Sequence, residues 1–239
     1  MLSHPCDRNK SHGWGTEDGW RRQFRLFIGS GQSAIDKGAR RAYCEVAFVK
    51  GRVELMAYFE LQSAESDLQH LSEQYWQEAG ERERELEKAA FEAGAAIRGC
   101  EYTLSNLEAI VRWKSERVVH YLIANSNENI KSALAIAASP ESSTEEAVKA
   151  LIALRGVDIP IATAVLAAIY PERYAVLDYR ALEALGHARH DVSFYVEYNA
   201  FCRHLAECGI VQPQGDLPGP TPLHALERGL WQWSRSHGN

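Results

Sequence analysis

Apolar residues recur at helical spacing over most of the chain, and glycine, proline and capping residues mark the breaks between these stretches. Leu68, Leu71 and Tyr75, then Leu86, Ala89, Ala90 and Phe91, predict one or two amphipathic helices over 63–98, with Ala79-Gly80 as the break. Tyr102-Thr103-Leu104-Ser105 opens the next helix, which Leu107, Ile110 and Val111 carry to Lys114. Ser143 and Glu146 form a capping box ahead of Val148, Leu151, Ile152 and Leu154, predicting a helix over 144–154. Gly156 stops that helix, and Pro160 suits the first turn of another over 161–169, because it lacks an N–H that would be unbonded there anyway. Beyond the apolar Ala175-Val176-Leu177, Asp178 stands at the N-cap position of a third helix over 179–185, which Gly186 ends. A helix over 194–208, a loop over 212–220 and a closing helix bearing Leu223, Leu226, Leu230, Trp231 and Trp233 complete the pattern.

One stretch has a different period. Cys44, Val46 and Phe48, then Val53, Leu55, Ala57 and Phe59, alternate around Lys50-Gly51, which predicts a β-hairpin; a helix over 42–61 fits the same residues. The first 20 residues are polar, with two Gly-Trp pairs, and read as irregular. The expected class is therefore mainly α, with an N-terminal extension over 1–62 that contains the β-hairpin and a helical domain over 63–239.

Composition narrows the function classes. With 239 residues and 46% hydrophobic content, the chain can bury a sizeable core. A formal charge of -6 does not advertise a nucleic-acid binder, but the charge is uneven: residues 1–52 carry a net +5, whereas residues 60–92 hold ten acids against three bases. The basic segment either contacts phosphates or offsets the acidic helix after it. Glu81-Arg82-Glu83-Arg84-Glu85 reads as a solvated face. Five cysteines without a C-x-x-C or a signal-peptide pattern read as reduced thiols of a cytoplasmic protein. No apolar run approaches the ~20 residues of a membrane span. His187 and His190 are the only close histidine pair, and the glycine before them argues against a shared metal, so no metal or cofactor is expected.

Two features bear chemistry. The turn Arg155-Gly156-Val157-Asp158-Ile159, beside the free amides that open the following helix, is a site for a phosphate oxygen. Asp178 is either an N-cap alone or a carboxylate placed for chemistry. Upstream, Arg112-Trp113-Lys114-Ser115-Glu116-Arg117 sets cations beside an aromatic ring, which suits a groove or an extruded base and equally suits a charged turn between packed helices.

Leu154-Arg155-Gly156-Val157-Asp158, the helix after it and the Val-Leu-Asp that opens the next, with Gly156 and Asp178 standing 22 residues apart, resemble the helix-hairpin-helix superfamily of DNA base-excision glycosylases. The resemblance is specific over 148–186, faint over 102–147 and 195–235, and absent over 1–100. It implies a helix-hairpin-helix glycosylase-like fold (hairpin 144–170, catalytic helix 178–186), with Arg155 to Ile159 on the DNA backbone and Asp178 as the catalytic carboxylate. It further implies a base pocket walled by Trp113, Lys114, Arg117, Tyr170, Tyr174 and Tyr179, although each of these aromatics also reads as an ordinary core residue.

The chain departs from the family pattern at three points. Asp158 replaces the second hairpin glycine, a position that Asp accommodates by its tolerance of the left-handed region. Pro160 replaces the lysine of the bifunctional members, which excludes a Schiff-base lyase through that position. With Cys202 and Cys208 alone in the last third, no four-cysteine iron–sulfur loop can form there. The resemblance thus implies a monomeric, monofunctional enzyme acting on double-stranded DNA that carries a damaged or modified base, in repair or, on a bulky phage base, in antiviral defence. A non-catalytic hairpin module that binds nucleic acid or a protein, with Asp178 as a helix cap, is the alternative.

Overall fold

A computed structural model describes residues 59–213 and 218–237. The expected β-hairpin, and all of the basic extension but its last few residues, lie outside the described residues. What is described is mainly α: ten helices and one short 3₁₀ turn, with no strand among these residues.

The acidic stretch forms two helices, α1 (Glu65–Glu78) and α2 (Glu81–Arg98), divided at Ala79-Gly80 as the pattern predicted. Helix α3 (Leu104–Ser115) is capped by the Thr103 hydroxyl, which accepts from the Asn106 amide. A 3₁₀ turn (Glu116–Val118) and the one-turn α4 (Val119–Leu122) lead to α5 (Asn127–Ala137), capped by Ser126. Helix α6 (Thr144–Ile152) carries the capping box in full: the Ser143 hydroxyl accepts from the Glu146 amide, and the Glu146 carboxylate accepts from the Ser143 amide. After the turn come α7 (Ile159–Ile169), α8 (Tyr179–Ala184), α9 (Val192–Glu207) and α10 (Pro222–His237).

Helix α7 is the axis of the packing. Every residue from Ile161 to Ile169 is buried, so it has no polar face, and α2, α3 and α6 surround it. Gly94 on α2 permits the closest crossing, since a Cβ there would stand 2.0 Å from the Ala168 carbonyl oxygen. On the other side, α10 lies along α1 and also meets α8 and α9. None of the described helices is long and apolar enough to cross a membrane.

The hairpin between α6 and α7 turns at Gly156, whose φ of +85° a side chain rarely adopts. A Cβ there would also come within 2.8 Å of the Tyr121 Cβ, so the turn is pressed against α4. Asn125 clamps the turn, accepting from the Arg155 amide at 2.8 Å and donating to the Arg155 carbonyl at 3.0 Å.

Asp158 does not take the left-handed conformation expected for it. Its backbone is extended (φ −99°), and its carboxylate accepts from the Ile161 amide at 3.1 Å, which makes it the N-cap of α7. Gly156 already supplies the reversal that brings the chain back, so the position needs a cap rather than a second glycine. Of the cysteines, Cys202 is a buried free thiol and Cys208 an exposed one.

Candidate active site

The route to Asp178 is an extended segment, Tyr174 to Leu177, whose amides and carbonyls are taken by buried side chains. The Ala175 amide donates to Asn199, the Val176 amide to Glu227 and the Leu177 amide to Thr163. In return, the hydroxyls of Tyr195 and Tyr198 donate to the carbonyls of Ala175 and Val176. A buried strand without a neighbour would leave these groups unpaired, at ~1–3 kcal/mol each. Here α7, α9 and α10 each contribute partners, and the segment delivers Asp178 in a fixed position.

The two oxygens of Asp178 do different work. Oδ1 accepts from the Ala181 amide at 2.9 Å and caps α8. Oδ2 accepts from Lys114 Nζ at 2.5 Å, an ion pair in which the lysine and aspartate side chains are 16% and 13% exposed. Lys114 comes from the last turn of α3, 64 residues away in sequence. Water is largely displaced from both charges, so their attraction is stronger than that of the surface pairs Arg82–Glu116 and Arg112–Glu116.

The pair opens onto a cavity of about 260 Å³. Trp113 and Lys114 of α3, Tyr75 of α1, Leu86 of α2 and Trp231 of α10 line it with Asp178. His224, Glu227 and Arg228 line it too, as part of a charged network. His224 shares its Nδ1 with Glu227 at 2.5 Å and its Nε2 with Glu87 at 3.1 Å, while Arg228 and the Tyr75 hydroxyl both donate to Glu87.

Burial and the neighbouring Arg228 push the His224 pKa down, but its hydrogen bonds to Glu227 and Glu87 outweigh them and hold it above the ordinary value. Burial pushes the Glu87 carboxyl up, yet the His224 hydrogen bond and the charges of His224 and Arg228 hold it below the usual range. Burial, then the Glu87 charge, pushes the Tyr75 phenol well above its ordinary value, so it stays a donor. The network therefore sets two acidic side chains against two basic ones.

The residues expected around the base separate into two groups. Trp113 and Lys114 meet Asp178 at the cavity. Arg117 is exposed outside it, and Tyr170 turns away to donate to the Ala138 carbonyl at 2.7 Å. Tyr174 is 2% exposed in the core, and Tyr179 is 67% exposed at the surface. Proximity to Asp178 in sequence suggested these tyrosines, but an extended segment followed by a helix points successive side chains in different directions. Tyr75, Leu86 and Trp231, which take their place, sit on helices whose register with Asp178 only the tertiary packing reveals. Of the hairpin residues, Arg155 and Asp158 are exposed, Gly156 and Ile159 half-buried and Val157 buried, and none of the five lines the cavity.

Nothing in this arrangement resembles a metal centre: among the described residues no three His, Cys, Asp or Glu side chains converge to hold one. Of the two close histidines, His187 sets its ring against Phe59 and Phe194, and His190 places Nδ1 beside the Ala188 carbonyl. Chemically, the cavity offers carboxyl groups, a primary amine, guanidinium groups, an imidazole and aromatic walls. Comparison with protein-family models, with curated proteins and with solved structures gives no match to this chain.

Proposed function

We propose that this protein is a divergent helix-hairpin-helix DNA glycosylase that hydrolyses the bond between a damaged or modified base and its sugar. The observation that carries the reading is the second oxygen of Asp178: capping accounts for Oδ1, whereas Oδ2 pairs with Lys114 in an aromatic-lined cavity. A base inside a duplex is out of reach, so it must be extruded, and Trp113, Tyr75 and Trp231 offer faces against which it can stack.

The chemistry follows from the charge that develops. As the C1′–N bond breaks, its electron pair leaves with the base and positive charge grows on the deoxyribose. The Asp178 carboxylate stabilises that charge and takes a proton from the water that attacks C1′. Lys114 fixes Oδ2 by hydrogen bonding to it. The hairpin at Gly156 grips the DNA backbone without reading its sequence.

At about 260 Å³ the cavity lies just below the ~300–1,000 Å³ of pockets for drug-sized ligands, which suits a single base. A bulkier phage base, the antiviral version of this function, would require the cavity to widen. A second reading, the non-catalytic hairpin module, draws on the same pair: a carboxylate that caps with one oxygen and is neutralised at the other can be purely structural.

The test incubates the full chain and its Asp178→Asn variant with duplexes bearing alkylated, deaminated, oxidised or phage-type bases and measures free base and alkali-labile sites. Release by the parent and not by a folded variant supports the enzyme. Equal release by both removes Asp178 from the mechanism, and binding without release from any substrate favours the module.

A further inference from the structure

We propose that the surface where α8 meets α10 binds an unpaired strand of nucleic acid, stacking bases on Tyr179 and pairing phosphates with Arg180 and Arg235. Tyr179 is the first residue of α8, and 67% of it is exposed. Three further side chains extend its ring into a row. The Arg180 guanidinium lies 5.0 Å from the Tyr179 ring centroid and 4.9 Å from that of Trp231, so one cation ties together two rings from different helices. Arg235, one turn beyond Trp231 on α10, lies 5.5 Å from the same indole. The order is ring, cation, ring, cation. It runs from the surface to the mouth of the cavity, which Trp231 and Arg235 also line.

Both guanidiniums keep donors for an anion. Arg180 forms no ion pair with any described residue; its Nη1 rests 3.4 Å from the Ser234 hydroxyl, which itself donates to Glu183. Arg235 meets Glu78 only at 3.7 Å, in a pair whose side chains are 45% and 42% exposed. Such a pair is held weakly, and a phosphate can compete for the arginine.

A cationic patch by itself binds any polyanion, a duplex included, through its phosphates. The rings impose a further requirement. In a duplex each base is covered by its stacked neighbours and turns only its edges outward, so a ring on the protein surface meets no base face. An unpaired strand presents base faces and phosphates together, which is what alternating rings and cations match. The inference goes beyond the reading of Asp178 and does not depend on its chemistry.

Fluorescence anisotropy of the full chain tests it with three labelled probes: a single-stranded DNA of mixed sequence, the same DNA as a duplex, and a strand of equal length whose sugars carry no bases. The base-less strand keeps the phosphates and removes stacking. The expected result is binding of the single strand ~10-fold or more tighter than of the base-less strand. Tyr179→Ala should lose that advantage and leave binding of the duplex and the base-less strand unchanged, and Tyr179→Phe, which keeps the ring, should restore it. Arg180→Gln should lower the slope of log K against log salt by about 0.7, the worth of one phosphate contact on a single strand.

Equal affinity for the single strand and the base-less strand overturns the inference, because the surface then reads charge alone. Full single-strand affinity in Tyr179→Ala, or an equal loss on single strand and duplex, overturns it as well. Tyr179 is exposed, and the comparison of probes on the parent protein needs no variant, so the outcome does not depend on the folding of one. The assay measures binding without base release. Its failure leaves the glycosylase reading standing, and a failure to release any base leaves the strand-binding result standing.

Discussion

Asp158 and Asp178 begin helices in the same way and end in different chemical situations. Each has an extended backbone, and each accepts from the amide three residues on, at 3.1 Å in Asp158 and 2.9 Å in Asp178. Asp158 is exposed and caps α7. Asp178 is largely enclosed, its second oxygen meets Lys114, and a cavity opens beside it. A capping position is a local property of the chain. What makes one of these aspartates a candidate for catalysis is a partner from another helix.

The largest effect expected from this contrast belongs to Lys114. Lys114→Met leaves the Asp178 carboxylate enclosed and unpaired, which should cost ~3–5 kcal/mol. Urea unfolding of the variant measures it. A loss below 1 kcal/mol would mean that Asp178 is solvated like Asp158.

Gly156→Ala comes next, because it strains a backbone at φ +85° and drives a methyl group against Tyr121. It should cost ~1–3 kcal/mol and weaken binding to duplexes of different sequence alike. Thermal melting and fluorescence anisotropy give the two numbers. A variant that folds and binds as the parent does would take the hairpin out of the DNA interface.

Asp158→Ala should cost only about 1 kcal/mol, the usual worth of an N-cap. A loss as large as that of Lys114→Met would erase the distinction between the two aspartates.

The smallest effect is a pH slope from the His224–Glu87 network. His224 has its pKa raised on folding, so its contribution is complete below the ordinary histidine value of 6.5 and is lost as pH rises through the higher folded value. Glu87 has its pKa lowered, so its contribution is complete above the ordinary carboxyl value of 4.5 and is lost as pH falls through the lower folded value. Both contributions are whole between 4.5 and 6.5. Stability measured by urea titration should decline on the alkaline side of that window, and His224→Gln should flatten the decline. An unchanged slope in the variant would show that the imidazole is not the titrating group.

The contrast also explains which parts of the molecule could be read in advance. Helix ends written in local chemistry were legible: the Ser143–Glu146 box, the Ala79-Gly80 break, Pro160 in the first turn of α7 and Asp178 as a cap. Helix α5 went unassigned, although Ser126 and the spacing of Ile130, Ala133, Leu134 and Ala137 carry the same kind of signal. Partners set by packing left no local trace. Nothing near Asp178 in sequence points to Lys114, nothing near Val176 points to Glu227, and Tyr75 and Trp231 face the cavity only because α10 lies along α1. The tyrosines beside Asp178 misled because adjacency along the chain is a poor guide to facing once a segment runs extended and then turns into a helix.

The central claim is that the second oxygen of Asp178 is chemical and not structural. Its most direct test is the rate of base release by Asp178→Asn, whose amide oxygen can keep the cap while the charge is removed. Loss of at least ~10²-fold in a variant that melts as a folded protein is the predicted result. Release at the parent rate would contradict the claim and leave Asp178 with the role of an N-cap, as in Asp158.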